Sequence, residues 1–270
     1  MGRLIHSGAG LCACALLLLV ATAIAPPVVP AKPIVVGSPL TAEFKPARVR
    51  EAGTYFNSAL SDPGANVVSP VDGALVNWKV KGGEGTIFRL RVLSPQGGSV
   101  YRATSSTPAW THGSPIPPWQ PLRVKAGDTV GIDISAEGVI GVATTGPESA
   151  YAVWIPPLTA GAALPYIGTK TERELSFNAT ILPAPTVSNV APLKLPFAKG
   201  GQVRIHGRDF QRVTSVRFGR VPARRFRVVS ERLIVATVAR RGNPLKAQVR
   251  VRTVAGTSEV GPGSSLEFSD

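Results

Sequence analysis

The side chains best placed to do chemistry fall into three groups. The first is a loop from Ser105 to Pro121, SSTPAWTHGSPIPPWQP, in which Trp110 and Trp119 flank His112 and five prolines stiffen the backbone. Indoles held out on a rigid loop suit sugar rings, because a flat apolar face with one polar edge matches the ring's own faces. Trp154 and Tyr166, near Pro156-Pro157, would extend the same rim. The two loop tryptophans also suit a plainer task, plugging the open end of a β-sandwich, while Trp78, in mid-strand, reads as core.

The second group is arginine. Arg217, Arg220, Arg224, Arg225, Arg227, Arg232, Arg240 and Arg241 belong to three successive strands and their turns. From Leu40 to Pro183 there are 12 Lys and Arg against 11 Asp and Glu, and from Ala184 to Asp270 there are 16 against 5. The formal charge of +14 therefore sits almost wholly in the last third of the chain. Gathered on one sheet face or at one end, such residues make a field that concentrates anionic polymers and that weakens steeply with salt. A solvated arginine-rich surface also follows from composition alone, since Lys is scarce relative to Arg and Ala, Gly and Pro are abundant.

The third group is what a hydrolase would need. Beyond the N-terminal segment only His112 and His206 remain, and there is no Gly-x-Ser-x-Gly elbow, no His-Glu-x-x-His and no phosphate loop. Glu84, Asp128 and Glu148 stand isolated in sequence, and His206 falls on the outward side of its strand. Asp128, in the turn Lys125-Ala126-Gly127-Asp128, reads as a backbone-bonding turn residue, and Asp133 as a residue of the wet face of its strand. Calcium needs about six or more oxygen ligands, and no dense acidic loop supplies them. The reading is therefore noncatalytic, with no cofactor and no metal.

The first 23 residues read as a secretory signal: Arg3, then an apolar run from Leu11 to Val20, then Ala21-Thr22-Ala23 as a small-x-small cleavage site. Cys12 and Cys14, the only cysteines, lie inside it, so the mature chain has neither disulfide nor cysteine-bound zinc to hold it. Residues 24–39 are proline-rich and nearly uncharged, an extended spacer.

Beyond the spacer the chain reads as all-β, because Val and Thr recur in short runs between Gly and Pro clusters and no amphipathic helical period appears. Residues 40–183 form the first domain, with strands expected at Leu75 to Val80, Thr86 to Leu93, Ser99 to Thr104, Leu122 to Val124, Thr129 to Ile134, Val139 to Thr144, Ala150 to Ile155 and Glu174 to Ile181. Phe88, Leu90 and Val92 alternate with Arg89 and Arg91, which predicts one buried and one wet face. Pro183-Ala184-Pro185 is the hinge to a second domain, residues 184–270, where Val203 and Ile205 point inward and Arg204 and His206 outward.

Two resemblances follow from the motifs. Pro185-x-Val187-x-x-Val190-x-Pro192, Gly200-Gly201, Val203-x-Ile205-x-Gly207-x-x-Phe210, Val216-x-Phe218-Gly219 and Val249-x-Val251-x-Thr253-x-x-Gly256-x-Ser258 resemble, in order, the IPT/TIG domain, an immunoglobulin-like fold of plexins, some transcription factors and many bacterial surface proteins. The family's usual proline after the long central strand is absent at Thr237-Val238-Ala239, where Arg240 and Arg241 follow instead. Ser69-Pro70-x-Asp72-Gly73, Val76-x-Trp78-x-Val80, Phe88-x-Leu90-x-Val92 and Val124-Lys125-Ala126-Gly127-Asp128-x-Val130-Gly131 resemble a jelly-roll-like domain of secreted actinobacterial proteins, similar in layout to carbohydrate-binding modules.

Together these readings predict a jelly-roll-like β-sandwich followed by an immunoglobulin-like β-sandwich, secreted or held at the cell envelope. Its expected partner is an envelope polysaccharide or another anionic polymer, contacted by Trp110, His112 and Trp119 or by Arg217, Arg220, Arg224, Arg225 and Arg227. The alternatives are an adhesive module for another surface protein and, further off, a hydrolase of unrecognised type. A secreted chain has no genome to search, so sequence-specific nucleic-acid binding is not expected.

Overall fold

The computed structural model describes residues 34–269, which form β-strands and one 3-10 turn at Pro262–Ser264. The signal segment, both cysteines and the spacer up to residue 33 lie outside the described residues. No helix among the described residues is long and apolar enough to cross a membrane.

In the N-terminal part, an eight-stranded sheet has Ile87–Gly97, Thr129–Ile134, Gly53–Ala59 and Ala150–Trp154 side by side at its centre. Facing it are a four-stranded sheet (Ile34–Gly37, Phe177–Pro183, Gly73–Val80, Leu122–Val124) and a three-stranded one (Arg173–Leu175, Val139–Thr144, Phe44–Arg48). Phe88, Leu90, Val92, Ile132 and Ile134 from the large sheet meet Leu75, Trp78, Phe177, Ala179 and Ile181 from the other side in one core. Each large side chain taken fully from water there contributes roughly 1.5–3 kcal/mol.

Three expectations change in this part. The spacer ends earlier than predicted: Ile34–Gly37 pairs antiparallel with Phe177–Pro183, and Val36 is wholly buried. Past Pro33, its β-branched residues have a sheet edge to pair with, which outweighs the local proline content. Second, the face carrying Arg91 is not wet. Arg91 keeps 5% of its surface, and its Nε lies 2.7 Å from Oδ1 of Asp133, which also accepts from Thr54 Oγ1 at 2.6 Å. Third, Trp154 and Tyr166 belong to a second apolar cluster with Phe56, Leu93, Ala103 and Leu158, away from the Trp110 loop. The segment following Trp154 covers that face through Leu158 and Ala162, with Phe56 and Trp154 stacked at 5.2 Å.

The C-terminal part is a second sandwich. One sheet orders Thr186–Ala191, Gly201–Arg208, Leu233–Val238 and Arg225–Ser230; the other orders Lys194–Pro196, Ser265–Ser269, Leu245–Thr253, Val213–Phe218 and Val221–Pro222. Val203, Ile205, Ile234 and Ala236 pack against Val216, Phe218, Val249, Val251 and Phe268, with Arg204 and His206 exposed as the alternation requires. Gly207 explains the Gly-x-x-Phe motif. A Cβ there would strike the Thr186 carbonyl oxygen and stand 2.5 Å from the ring of Phe210, which is buried against it. Gly219, at φ +62, makes the turn that ends Val213–Phe218.

Candidate functional site

The arginines do not share one face. Val213–Phe218 pairs with Leu245–Thr253 so that Arg217 stands opposite Arg250 and Ser215 opposite Arg252. Alternation turns Val216, Phe218, Val249 and Val251 into the core and leaves Arg217, Arg250 and Arg252 exposed on the other side. With Arg220, in the turn after Gly219, they line a shallow groove of about 640 Å3 that also holds Ser215, Gln248 and Thr257 and has no carboxylate in its walls. Like charges directly opposite on neighbouring strands oppose pairing. One of them is held in place, since Arg217 donates from Nη2 to the Arg220 carbonyl at 2.9 Å. Sequence alone does not single out Arg250 and Arg252, because the register that sets them opposite Arg217 and Ser215 joins positions far apart in the chain.

Arg225 and Arg227 lie on the other sheet. Arg227 shares a row with Val235 and Arg204, and Arg225 shares one with Thr237 and Gln202, where its Nε reaches Thr237 Oγ1 at 3.2 Å. Arg224, Arg232 and Arg240 are exposed. Arg241 is not a surface residue of either face: it is half-buried, its Nη2 donates to the Phe218 carbonyl, and its guanidinium lies 5.0 Å from the centre of the Phe268 ring. Burial lowers its pKa from the ordinary arginine value.

The aromatic loop is folded onto the sandwich. Trp110 is half-buried, edge-on to Trp78 at 5.5 Å, and donates its indole N–H to the Ser114 carbonyl at 2.9 Å. Trp119 also packs on the core, so both indoles lie partly buried against it. His112 sits 5.2 Å from Trp110 and 6.2 Å from Phe88, and its buried Nδ1 has no hydrogen-bond partner. Trp110 still lines an apolar groove of about 430 Å3 with Leu40, Trp78, Lys79, Val80, Lys81 and Ile116, whereas His112 and Trp119 do not.

Among the titratable groups, Asp128 behaves as a turn residue, accepting from the Lys125 N–H at 2.8 Å. No group of three or more His, Cys, Asp or Glu among the described residues is arranged to hold a metal. The buried carboxylate missed from sequence is Glu174, 1% exposed, because a strand position gives no hint of its depth. Burial raises its pKa, Asp62 raises it further, and a hydrogen bond with Ser38 opposes them. A carboxyl that protonates more readily folded than unfolded makes its best contribution to stability at low pH, and that contribution is lost as pH rises from about 4.5 through the raised value. Glu174→Gln should therefore raise the melting temperature at neutral pH, and the gain should vanish towards about pH 4 in tryptophan-monitored melts.

Comparison with known proteins identifies the second sandwich. Residues 185–264 match the IPT/TIG domain model. No curated protein matches the chain. Among solved structures, the full extracellular region of plexin A4 is similar at 13% identity and a TM-score of 0.27, over 78% of this chain and 19% of that one, so the chain spans about a fifth of that protein's length. The matched strands, the Gly207–Phe210 packing and the two-sheet order agree with the resemblance read from the motifs, and the C-terminal sandwich is an IPT/TIG domain.

Proposed function

We propose that the chain is a noncatalytic binding protein of the cell exterior or envelope, and that its IPT/TIG domain holds an anionic polymer, an envelope polysaccharide carrying carboxylate or phosphate groups, along the groove of Arg217, Arg220, Arg250 and Arg252. The observation that carries this reading is the cross-strand opposition of Arg217 and Arg250 in a groove without acidic walls. An anion bridging the two guanidiniums relieves their repulsion, and arginine's planar fork suits carboxylate and phosphate oxygens. The apolar groove at Trp110 is a lesser candidate for the sugar faces of the same class of ligand.

Retention of the full chain on immobilised polygalacturonate and on a glycerol-phosphate polymer, with uncharged dextran as control, tests the reading across a salt series. Binding should fall steeply with salt. Arg217→Ala/Arg250→Ala/Arg252→Ala should weaken it about tenfold or more at low salt and flatten the salt slope by about one for each arginine removed. Equal retention of the triple variant would remove the groove from consideration.

A further inference from the structure

The edge of the same sandwich presents a different kind of surface. Arg225–Ser230 is the last strand of its sheet; one side pairs with Leu233–Val238 and the other pairs with no strand among the described residues. The opposite edge of that sheet is covered, since the Pro262–Ser264 turn packs on Thr186–Ala191 and brings Gly263 against the Ser188 carbonyl. An open edge is a row of peptide N–H and C=O groups in position to pair with another strand.

The side chains of this edge sort by face. Arg225 and Arg227 align with Thr237 and Val235 on the outer face, while Phe226 and Val228 align with Ala236 and Ile234 on the inner one. Ala236 and Ile234 are buried, but Phe226 and Val228 keep 36% and 39% of their surface, and Val221 from the facing sheet keeps 40%. The rim of the core is thus open beside a strand that is cationic on its other face.

We infer that this edge takes up an extended acidic segment of a partner protein, which joins the sheet as one further strand. Its carboxylates would lie beside Arg225 and Arg227, and its alternate apolar side chains would cover Phe226, Val228 and Val221. Charge selects this occupant. A second copy of the chain would set arginine against arginine across the new pair, which opposes pairing. A polysaccharide would meet the arginines and leave the apolar rim and the peptide groups unsatisfied.

The test is fluorescence anisotropy of the full chain with a capped, labelled peptide of alternating Glu and Val. The expected result is binding that drops at least tenfold when alternate peptide nitrogens are N-methylated, because strand pairing needs those N–H groups. Arg225→Glu/Arg227→Glu, both exposed positions, should lose this peptide and gain its Lys-Val counterpart, with unchanged circular dichroism. Arg217→Ala/Arg250→Ala/Arg252→Ala should bind it normally, which separates this edge from the polymer groove. No binding, equal binding of the N-methylated peptide, loss of binding in the groove variant, or a dimer of the full chain abolished by Arg225→Glu/Arg227→Glu would each overturn the assignment.

Discussion

Gly207→Ala is expected to unfold the C-terminal sandwich selectively. The added Cβ has nowhere to go: one neighbour is a backbone oxygen of the adjacent strand, at Thr186, and the other is the ring of buried Phe210. Gly207 is also tied by its N–H to the Arg232 carbonyl at 3.0 Å, so the strand cannot shift outward without losing that bond. Overpacking of this kind costs about 1–3 kcal/mol and more where backbone must move, a large share of a small domain's stability. Phe210→Ala, which removes the ring instead, should cost roughly 3–5 kcal/mol. The measurement is convenient because Trp78, Trp110, Trp119 and Trp154 all lie in the N-terminal part. Denaturation followed by circular dichroism should show an early transition in both variants, while the tryptophan fluorescence transition stays where it was. Coincident, unshifted transitions would mean that the Gly207–Phe210 contact is slack.

Asp133→Ala should produce the complementary pattern, an early tryptophan transition. The Arg91–Asp133 pair has side chains only 6% and 14% exposed, and the Thr54 hydroxyl donates a hydrogen bond to the same carboxylate oxygen while accepting one from the Leu158 N–H at 2.9 Å. Deleting the carboxylate leaves a buried guanidinium with its counter-charge gone. Breaking one partner of a pair this deep costs about 3–5 kcal/mol. Replacing both, as Arg91→Met/Asp133→Leu, should recover most of the loss, because the penalty belongs to the orphaned charge and not to the absence of the pair. A single variant as stable as the parent would show that water reaches Arg91.

Where one side of a sheet is wet, its strands were legible. Val203 and Ile205 against Arg204 and His206 declare their faces by alternation alone, and Gly207 and Phe210 punctuate the end of that strand. Gly53–Ala59 shows the opposite case. It is central in the large sheet, with Tyr55 in the main core and Phe56 in the second cluster, so Gly-Thr-Tyr-Phe-Asn-Ser-Ala carries no alternation to read. The covering segment beyond Trp154, which brings Leu158 into the cluster with Phe56, is the cause of that miss. The groove was half legible: Arg217 and Arg220 stood out by density, but Arg250 and Arg252 join them only through a register that includes a shift between Val213 and Ser215.

The division of the arginines over both sheets has a consequence for how the module would act in bulk. Arg217, Arg250 and Arg252 project from one broad side of the sandwich, and Arg204, Arg225 and Arg227 from the other sheet. A body that is cationic on one side only coats a polyanion and stops there. One that is cationic on both has its two sites back to back, so a molecule seated on a polymer through Arg217, Arg250 and Arg252 would still offer Arg225 and Arg227 to an acidic protein segment. Such a protein would tether that partner to the polymer and gather it along the strand, an effective-concentration effect that needs no oligomer.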